Sequence, residues 1–354
     1  MKKKICVGIS GGVDSAVSAL LLKKQGHNVI GLFMKNWEEP ENAGNCTFSQ
    51  DFEDALSICE QIGIPCYSVN FTEEYRKYVF DEFLRDCKAG FTPNPDVLCN
   101  KEIKFKHFFE KSLQFGADLL ATGHYCNTDL EGNLFKGKDS EKDQSYFLHT
   151  VSSSIFQKVH FPVGYLTKPK VRQIAKEAGL SVYDKRGSRG ICFIGKRDFK
   201  PFVMRYLGLS KGHFENLAGD VLGEHDGLAY YTIGQRKGLK FGGEGEAWYV
   251  MDKDISRNVV IIDRGKDHPA LFALSLIASE LAWITHHPPA DAFRCTAKIR
   301  YRQQDQPCRV TLTEHGEAHV VFDTPQRAIT PGQAVVFYKE DRCLGGGKIK
   351  TKLS

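Results

Sequence analysis

Apolar residues along the first 120 positions fall into short unbroken runs separated by stretches with helical spacing. Ile5-Cys6-Val7-Gly8-Ile9 forms one run, Asn28-Val29-Ile30-Gly31-Leu32-Phe33-Met34 a second, Ile64-Pro65-Cys66-Tyr67-Ser68-Val69 a third and Ala117-Asp118-Leu119-Leu120-Ala121-Thr122 a fourth. Between them Phe52, Ala55, Ile58, Cys59 and Ile62 mark one face of a helix at three-to-four spacing. Tyr75, Tyr78, Val79 and Phe83 mark a second helix, and Phe105, Phe108, Phe109 and Leu113 a third. Continuous apolar strands alternating with helices predict an α/β unit, a doubly wound parallel sheet covered on both faces. Another helix is expected after Thr167, which can cap it, with Pro169 in its first turn and Val171, Ile174, Ala175 and Ala178 on its inner face.

Beyond this the pattern changes. Residues from about 202 to 272 are rich in glycine, with short strand-like runs at 247–250 and 258–262, and read as a small central α+β domain. From about 273 onward alternation takes over, at 297–302, 310–312, 318–322 and 334–338. About 80 residues of short strands predict a C-terminal β-barrel, an architecture that often binds nucleic acid. The expected domains are therefore 1–201, 202–272 and 273–354.

A chain of 354 residues is too long for one compact core, which agrees with this division. Apolar residues make up 42% and charged residues 26%, and no run of 18 apolar residues is present, so a soluble cytoplasmic protein with no membrane partner is expected. The net charge of +5 permits a polyanionic partner without requiring one. Eleven cysteines in so long a chain do not suggest a disulfide framework, and no Cys-x-x-Cys pair occurs, which excludes a zinc ribbon or a thioredoxin motif. Cys6, Cys59, Cys66 and Cys87 lie in apolar contexts and read as small core residues.

The most informative motif follows the first strand directly: Ser10-Gly11-Gly12-Val13-Asp14-Ser15. Two glycines allow the backbone N–H groups to wrap an anion, and the helix that follows adds partial positive charge. The Ser10 and Ser15 hydroxyls can donate to phosphate, whereas Asp14 would repel it unless a magnesium ion intervened. Neither a Walker loop nor a Gly-x-Gly-x-x-Gly fingerprint is present. The hexapeptide resembles the signature of the ATP-pyrophosphatase (PP-loop) superfamily, which implies splitting of ATP to AMP and pyrophosphate. Ligands of such sheets bind beyond the carboxyl ends of the strands, which groups this turn with Met34 and Gly123-His124. Met34 reads either as core or as packing for an adenine ring, and His124 either as structural or as functional.

Two cysteines differ from the rest. Cys99, in Pro93-Asn94-Pro95-Asp96-Val97-Leu98-Cys99-Asn100-Lys101, follows two prolines, with a helix expected to begin just after it and Lys101 and Lys104 nearby. Cys192, in Ser188-Arg189-Gly190-Ile191-Cys192-Phe193-Ile194-Gly195-Lys196-Arg197, is flanked by glycines and basic residues. Positive surroundings favour a nucleophilic thiolate, although either cysteine alone is equally readable as a structural residue. Lys298, Arg300 and Arg302 alternate along the expected 297–302 strand and would share one face, as phosphate contacts do, with Tyr301 pointing the other way.

Together these segments resemble the tRNA-specific 2-thiouridylase (MnmA/TrmU) family nearly end to end. The resemblance is carried by Gly8 to Ser15, Asn94 to Asn100, Ala121-Thr122-Gly123-His124-Tyr125, Lys142-Asp143-Gln144-Ser145-Tyr146, Gly190 to Gly195 and Thr232-Ile233-Gly234-Gln235-Arg236. It implies ATP-dependent replacement of the 2-oxygen of a wobble uridine by sulfur, in tRNAs of the Lys, Glu and Gln type. AMP would be placed on the oxygen, and a persulfide on Cys192, loaded by a donor protein, would supply the sulfur with Cys99 as second thiol. ATP and Mg2+ would be held by Gly8, Ile9, Ser10, Gly11, Gly12, Val13, Asp14, Ser15, Met34 and Gly123, with His124 important for activity. Asn94, Pro95 and Asp96 would meet the base, and Lys142, Asp143, Gln144, Arg300, Tyr301 and Gln333 the rest of the tRNA. Three other readings stay open at this point: another adenylating ligase of the superfamily, a tRNA-binding module with a cysteine redox switch, and an iron–sulfur cluster on Asp96, Cys99 and Cys192.

Overall fold

The computed structural model describes residues 2–38, 48–185 and 198–353. Its first four strands are β1 (Lys4–Ile9), β2 (Asn28–Lys35), β3 (Cys66–Asn70) and β4 (Leu119–Ala121), which coincide with the four apolar runs of the sequence to within two residues at each end. A hairpin follows, β5 (Cys126–Thr128) and β6 (Leu134–Lys136), then β7 (Val159–His160). The first sheet has the order β3-β2-β1-β4-β7, with every pair parallel. Strand β1 lies inside it between β2 and β4, where the order reverses, so a crevice opens at its carboxyl end. Helix α1 (Val13–Lys24) leaves from that point, and α2 (Phe48–Ile62) covers the same region. Ile5, Val7, Ile9, Val29 and Phe33 pack with Ala19, Leu22, Ala55 and Cys59 under these helices.

The other sequence-expected helices are present but longer. Residues 72–88 form a continuous helical run and 95–114 one that kinks at Phe105, whose φ −102 and ψ 16 are not helical; each contains a wide π-type stretch, Arg76–Phe80 in the first and Cys99–His107 in the second. Helix Lys168–Glu177 has Thr167 at its N-cap position as expected, yet the Thr167 side chain makes no capping bond. Asp139 Oδ2 accepts from the Lys168 N–H instead at 2.8 Å, so the cap comes from another loop.

The central sheet has the order β10 (Trp248–Asp254), β11 (Val259–Arg264), β8 (Gly212–Glu215), β9 (Val221–His225). The last six strands are β12 (Phe272–Trp283), β13 (Ala292–Lys298), β14 (Gln306–Leu312), β15 (Ala318–Arg327), β16 (Ala334–Lys339) and β17 (Arg342–Leu353). They run β12-β15-β14-β13-β16-β17, and pairing of β12 with β17 closes the barrel around Leu276, Val310, Val320 and Phe337. Hairpin β5–β6 of the first domain adds to the outside of this ladder by pairing β6 with β17. Among the described residues no helix is long and apolar enough to cross a membrane.

Strand β13 stops at Lys298, four residues short of the alternating run that predicts it. Residues 299–302 bend, so Lys298, Arg300 and Arg302 do not share a strand face, and Tyr301 is not on the opposite one. The Lys298 side chain turns inward between Asp143, at 3.8 Å, and Asp305, at 3.6 Å.

Candidate active site

The Ser10–Ser15 turn sits at the crevice. Gly11 has φ +70, and a Cβ there would lie 2.6 Å from the carbonyl oxygen of Asp51, so both the conformation and the space require glycine. Ser15 is buried and braces the turn: its hydroxyl donates to the Gly12 carbonyl at 3.0 Å and accepts from the Ser10 N–H at 3.2 Å. Ser10 is exposed, which leaves it the more accessible of the two expected phosphate donors. Gly8 approaches the Phe108 ring, and Ile9 and Val13 are core residues beneath the turn.

Asp14 is not an open carboxylate. Lys168 Nζ donates to both of its oxygens, at 2.6 and 2.7 Å, and the Tyr125 hydroxyl donates to Oδ1 at 2.6 Å. These residues therefore do not offer Asp14 as a ready magnesium ligand. A second lysine, Lys185, donates to the Gly11 carbonyl and to Asp51 Oδ1, each at 3.0 Å, and to Asp54 Oδ2 at 2.5 Å. Burial alone would lower its pKa, but Asp54 and Asp51 overcome this and raise it. Local sequence holds no signal for either lysine, because their carboxylate partners lie far away along the chain.

The segment after β4 seals the other side. A Cβ on Gly123 would lie 2.8 Å from the Asp14 carbonyl carbon and the Ser15 nitrogen, so the segment can pass this close to α1 only with glycine there. His124 is buried; its Nδ1 lies 2.7 Å from the Thr122 hydroxyl and its Nε2 3.4 Å from Lys104 Nζ. An ammonium can only donate, so Nε2 accepts and Nδ1 carries the proton toward Thr122. Burial first, then the positive charge of Lys104, holds the imidazole well below its ordinary pKa, so it is neutral near pH 7. Met34, at the end of β2, is half-buried and packs on the main core.

Lys104 belongs to the same helical run as Cys99. That run starts at Pro95, with Asn94 as its cap accepting from the Asp96 N–H at 3.2 Å. The helix therefore begins four residues before Cys99 rather than just after it, because proline at the first position forfeits an N–H that needs no partner. Cys99 is buried, 4% exposed, at the start of the wide helical stretch. Burial raises the Asp96 carboxyl, opposed by Lys104. Cys6 and Cys87, pushed up to about 12 chiefly by burial, are inert core thiols as expected. Cys192 lies outside the described residues. Among the described residues no group of three or more His, Cys, Asp or Glu side chains is placed to hold a metal; the cluster reading on Asp96, Cys99 and Cys192 depends on a residue outside them.

The remaining expected contacts fall into two places. Asp143 is buried and internal: it accepts from the Gly137 and Ser145 N–H groups at 3.0 and 3.1 Å and from the Ser145 hydroxyl at 3.0 Å. Gln144 Oε1 accepts from the Tyr125 N–H at 3.1 Å, and the Lys142 carbonyl accepts from the Tyr301 hydroxyl at 3.4 Å. Arg300, Tyr301 and Gln333 line a cavity of about 430 Å³ together with Thr232, Gln235 and Arg302. There Arg300 donates to the Ile233 and Ala328 carbonyls, at 3.3 and 2.9 Å, and Gln333 Nε2 donates to the Thr92 carbonyl at 2.7 Å.

Residues 3–196 match the family model described as tRNA methyl transferase HUP domain, 200–264 the tRNA methyl transferase PRC-barrel domain, and 274–349 the aminomethyltransferase beta-barrel domain. A tRNA-specific 2-thiouridylase MnmA of Protochlamydia amoebophila is 53% identical, covering 99% of this chain and 94% of its own. One of Francisella tularensis subsp. holarctica is 54% identical, covering 98% and 99%. Among solved structures, the U34-tRNA thiolase NcsA from Methanococcus maripaludis with its 4Fe-4S cluster matches 58% of this chain and 65% of its own, at 23% identity and a TM-score of 0.37.

Proposed function

This chain belongs to the tRNA-specific 2-thiouridylase (MnmA) family, which makes it a tRNA sulfurtransferase, and from that premise we propose that it uses ATP to 2-thiolate the wobble uridine of tRNA. The observation that carries the reading is the meeting of two sites on the segment 122–125. Gly123 and Tyr125 contact the glycine-rich turn, while His124 contacts Lys104 of the helical run bearing Cys99. This supports a reading in which the turn 10–15 takes the nucleotide and the helical run bearing Cys99 takes part in the same reaction.

The 2-carbonyl of uridine is a weak electrophile and its oxygen a poor leaving group. Attack of that oxygen on the α-phosphate of ATP forms an O–P bond and breaks the α–β linkage, releasing pyrophosphate against the turn 10–15. The terminal sulfur of a Cys192 persulfide then bonds to C2, and AMP departs with the oxygen. The Cys99 thiolate attacks the inner sulfur, either after this transfer or beforehand to free sulfide, and both routes leave a Cys99–Cys192 disulfide. Two electrons from a cellular thiol reductant return the pair to thiols. In this scheme Gly8 to Ser15, Met34 and Gly123 hold ATP, and neutral His124 accepts a hydrogen bond that keeps Lys104 beside Asp96. Asn94, Pro95 and Asp96 receive the base. Lys142, Gln144, Arg300, Tyr301 and Gln333 lie on the tRNA side, with Asp143 shaping their loop from within. Residues 1–201 act as the catalytic domain, 202–272 as the link and 273–354 as the RNA-facing barrel.

Incubation with ATP, Mg2+, a persulfide donor and unmodified tRNA should yield 2-thiouridine together with AMP and pyrophosphate. Absence of 2-thiouridine while ATP and tRNA both bind would overturn the reading.

A further inference from the structure

The turn 10–15 places a carboxylate, Asp14, in the first turn of α1, where an incoming triphosphate would meet like charge. The structure resolves this conflict with a residue from a distant helix. Lys168 Nζ lies within 2.7 Å of both Asp14 oxygens, and both side chains are largely sheltered, at 16% and 30% exposed. Its position is fixed from three directions. The Lys168 backbone N–H is bound by Asp139, its ammonium lies 5.8 Å from the centre of the Tyr125 ring, and the Tyr125 hydroxyl shares Asp14 Oδ1.

Ordering so long a side chain costs conformational entropy, which one half-sheltered ion pair repays only in part. An ammonium has three N–H donors, and two are directed at Asp14. The third remains for an anion at the turn, beside which Asp14 holds the ammonium.

We propose that Lys168 is a phosphate-binding residue of the ATP site, held over the glycine-rich turn by Asp14 and Tyr125. Asp14 then aims a lysine at the pyrophosphate rather than acting as a magnesium ligand. This rests on the ATP reading above.

The test measures binding to the full chain by calorimetry, without tRNA, using ATP, inorganic pyrophosphate and AMP as probes. Lys168→Met should weaken ATP and pyrophosphate binding at least tenfold and change AMP affinity less than twofold, and Lys168→Arg should stay within about threefold of wild type. Because Lys168→Met strands the Asp14 carboxylate, the double variant Asp14→Asn, Lys168→Met removes the ion pair together; the proposal requires that it also bind ATP weakly. Wild-type ATP affinity in either variant would overturn the proposal, the double variant by showing that Lys168 only neutralises Asp14. A wild-type protein that bound neither ATP nor pyrophosphate would instead overturn the ATP reading, and this inference with it.

Discussion

Gln333 Nε2, on the turn before β16 of the barrel, donates to the carbonyl oxygen of Thr92, two residues before the Asn94 cap of the Cys99 helix, at 2.7 Å. A reciprocal bond from the Thr92 N–H to the Pro331 carbonyl, 3.0 Å, doubles the tie. The loop leading into the Asn94 cap is thus set by the C-terminal domain as much as by its own.

Replacing Gln333 by Ala removes one of these two bonds and opens the wall of the 430 Å³ cavity. A neutral hydrogen bond contributes about 1 kcal/mol net, roughly a fivefold effect. Thiolation kcat/KM for tRNA is expected to fall by about that factor or more while ATP affinity is unchanged. Equal losses in both would place Gln333 in folding rather than in RNA presentation.

Much of this was legible beforehand, and the exceptions have physical causes. Strands β1 to β4 announce themselves because a parallel strand covered on both faces must be continuously apolar. The two- and three-residue strands β5 to β7 are too short to show any period. The run 297–302 alternates beyond the point where the strand stops, since alternation records polarity and not the bend that Gln303 stabilises by accepting from the Ile299 N–H at 2.8 Å. In the site, glycines and cysteines stand out locally. Lys168 and Lys185 do not, because their meaning comes from Asp14, Asp51 and Asp54 across the fold.

The thiols provide the most direct check on the chemistry. Cys99→Ser and Cys192→Ser should each reduce 2-thiouridine formation to background, with ATP affinity within about twofold of wild type. Mass spectrometry after incubation with the donor should find the extra sulfur on Cys99→Ser protein and not on Cys192→Ser protein. Persulfide on Cys99 would reverse the two roles.

Gly123→Ala tests the close passage of the β4 end over the turn. Its new methyl would lie 2.8 Å from backbone atoms of Asp14 and Ser15, which cannot rotate away. Such overpacking costs about 1–3 kcal/mol. A lower melting temperature and at least a tenfold loss of ATP affinity are expected, whereas an unchanged affinity would show the turn to be pliable.

Acid should loosen the molecule through His149, fully buried, with Nδ1 2.7 Å from the Tyr146 carbonyl. Burial lowers its pKa to about 4, the Tyr146 carbonyl opposing. The unfolded chain takes up a proton below about pH 6.5, and the folded one resists until about pH 4. Its contribution is therefore complete above pH 6.5 and is lost as pH falls toward 4. At about 1.4 kcal/mol per pKa unit the loss reaches about 3 kcal/mol. Chemical denaturation across this range should show that slope in wild type and a flatter one in His149→Gln.

The pairing of β6 with β17 also bears on how the chain is made. Hairpin β5–β6 belongs to the first domain, yet its outer edge is met by residues 341–343 at the start of β17. During synthesis that edge leaves the ribosome long before its partner exists, so the nascent first domain carries an open strand until the barrel closes. Docking of the barrel is thereby a late assembly step, and the Thr92 loop receives its tie from Gln333 only once that step is complete.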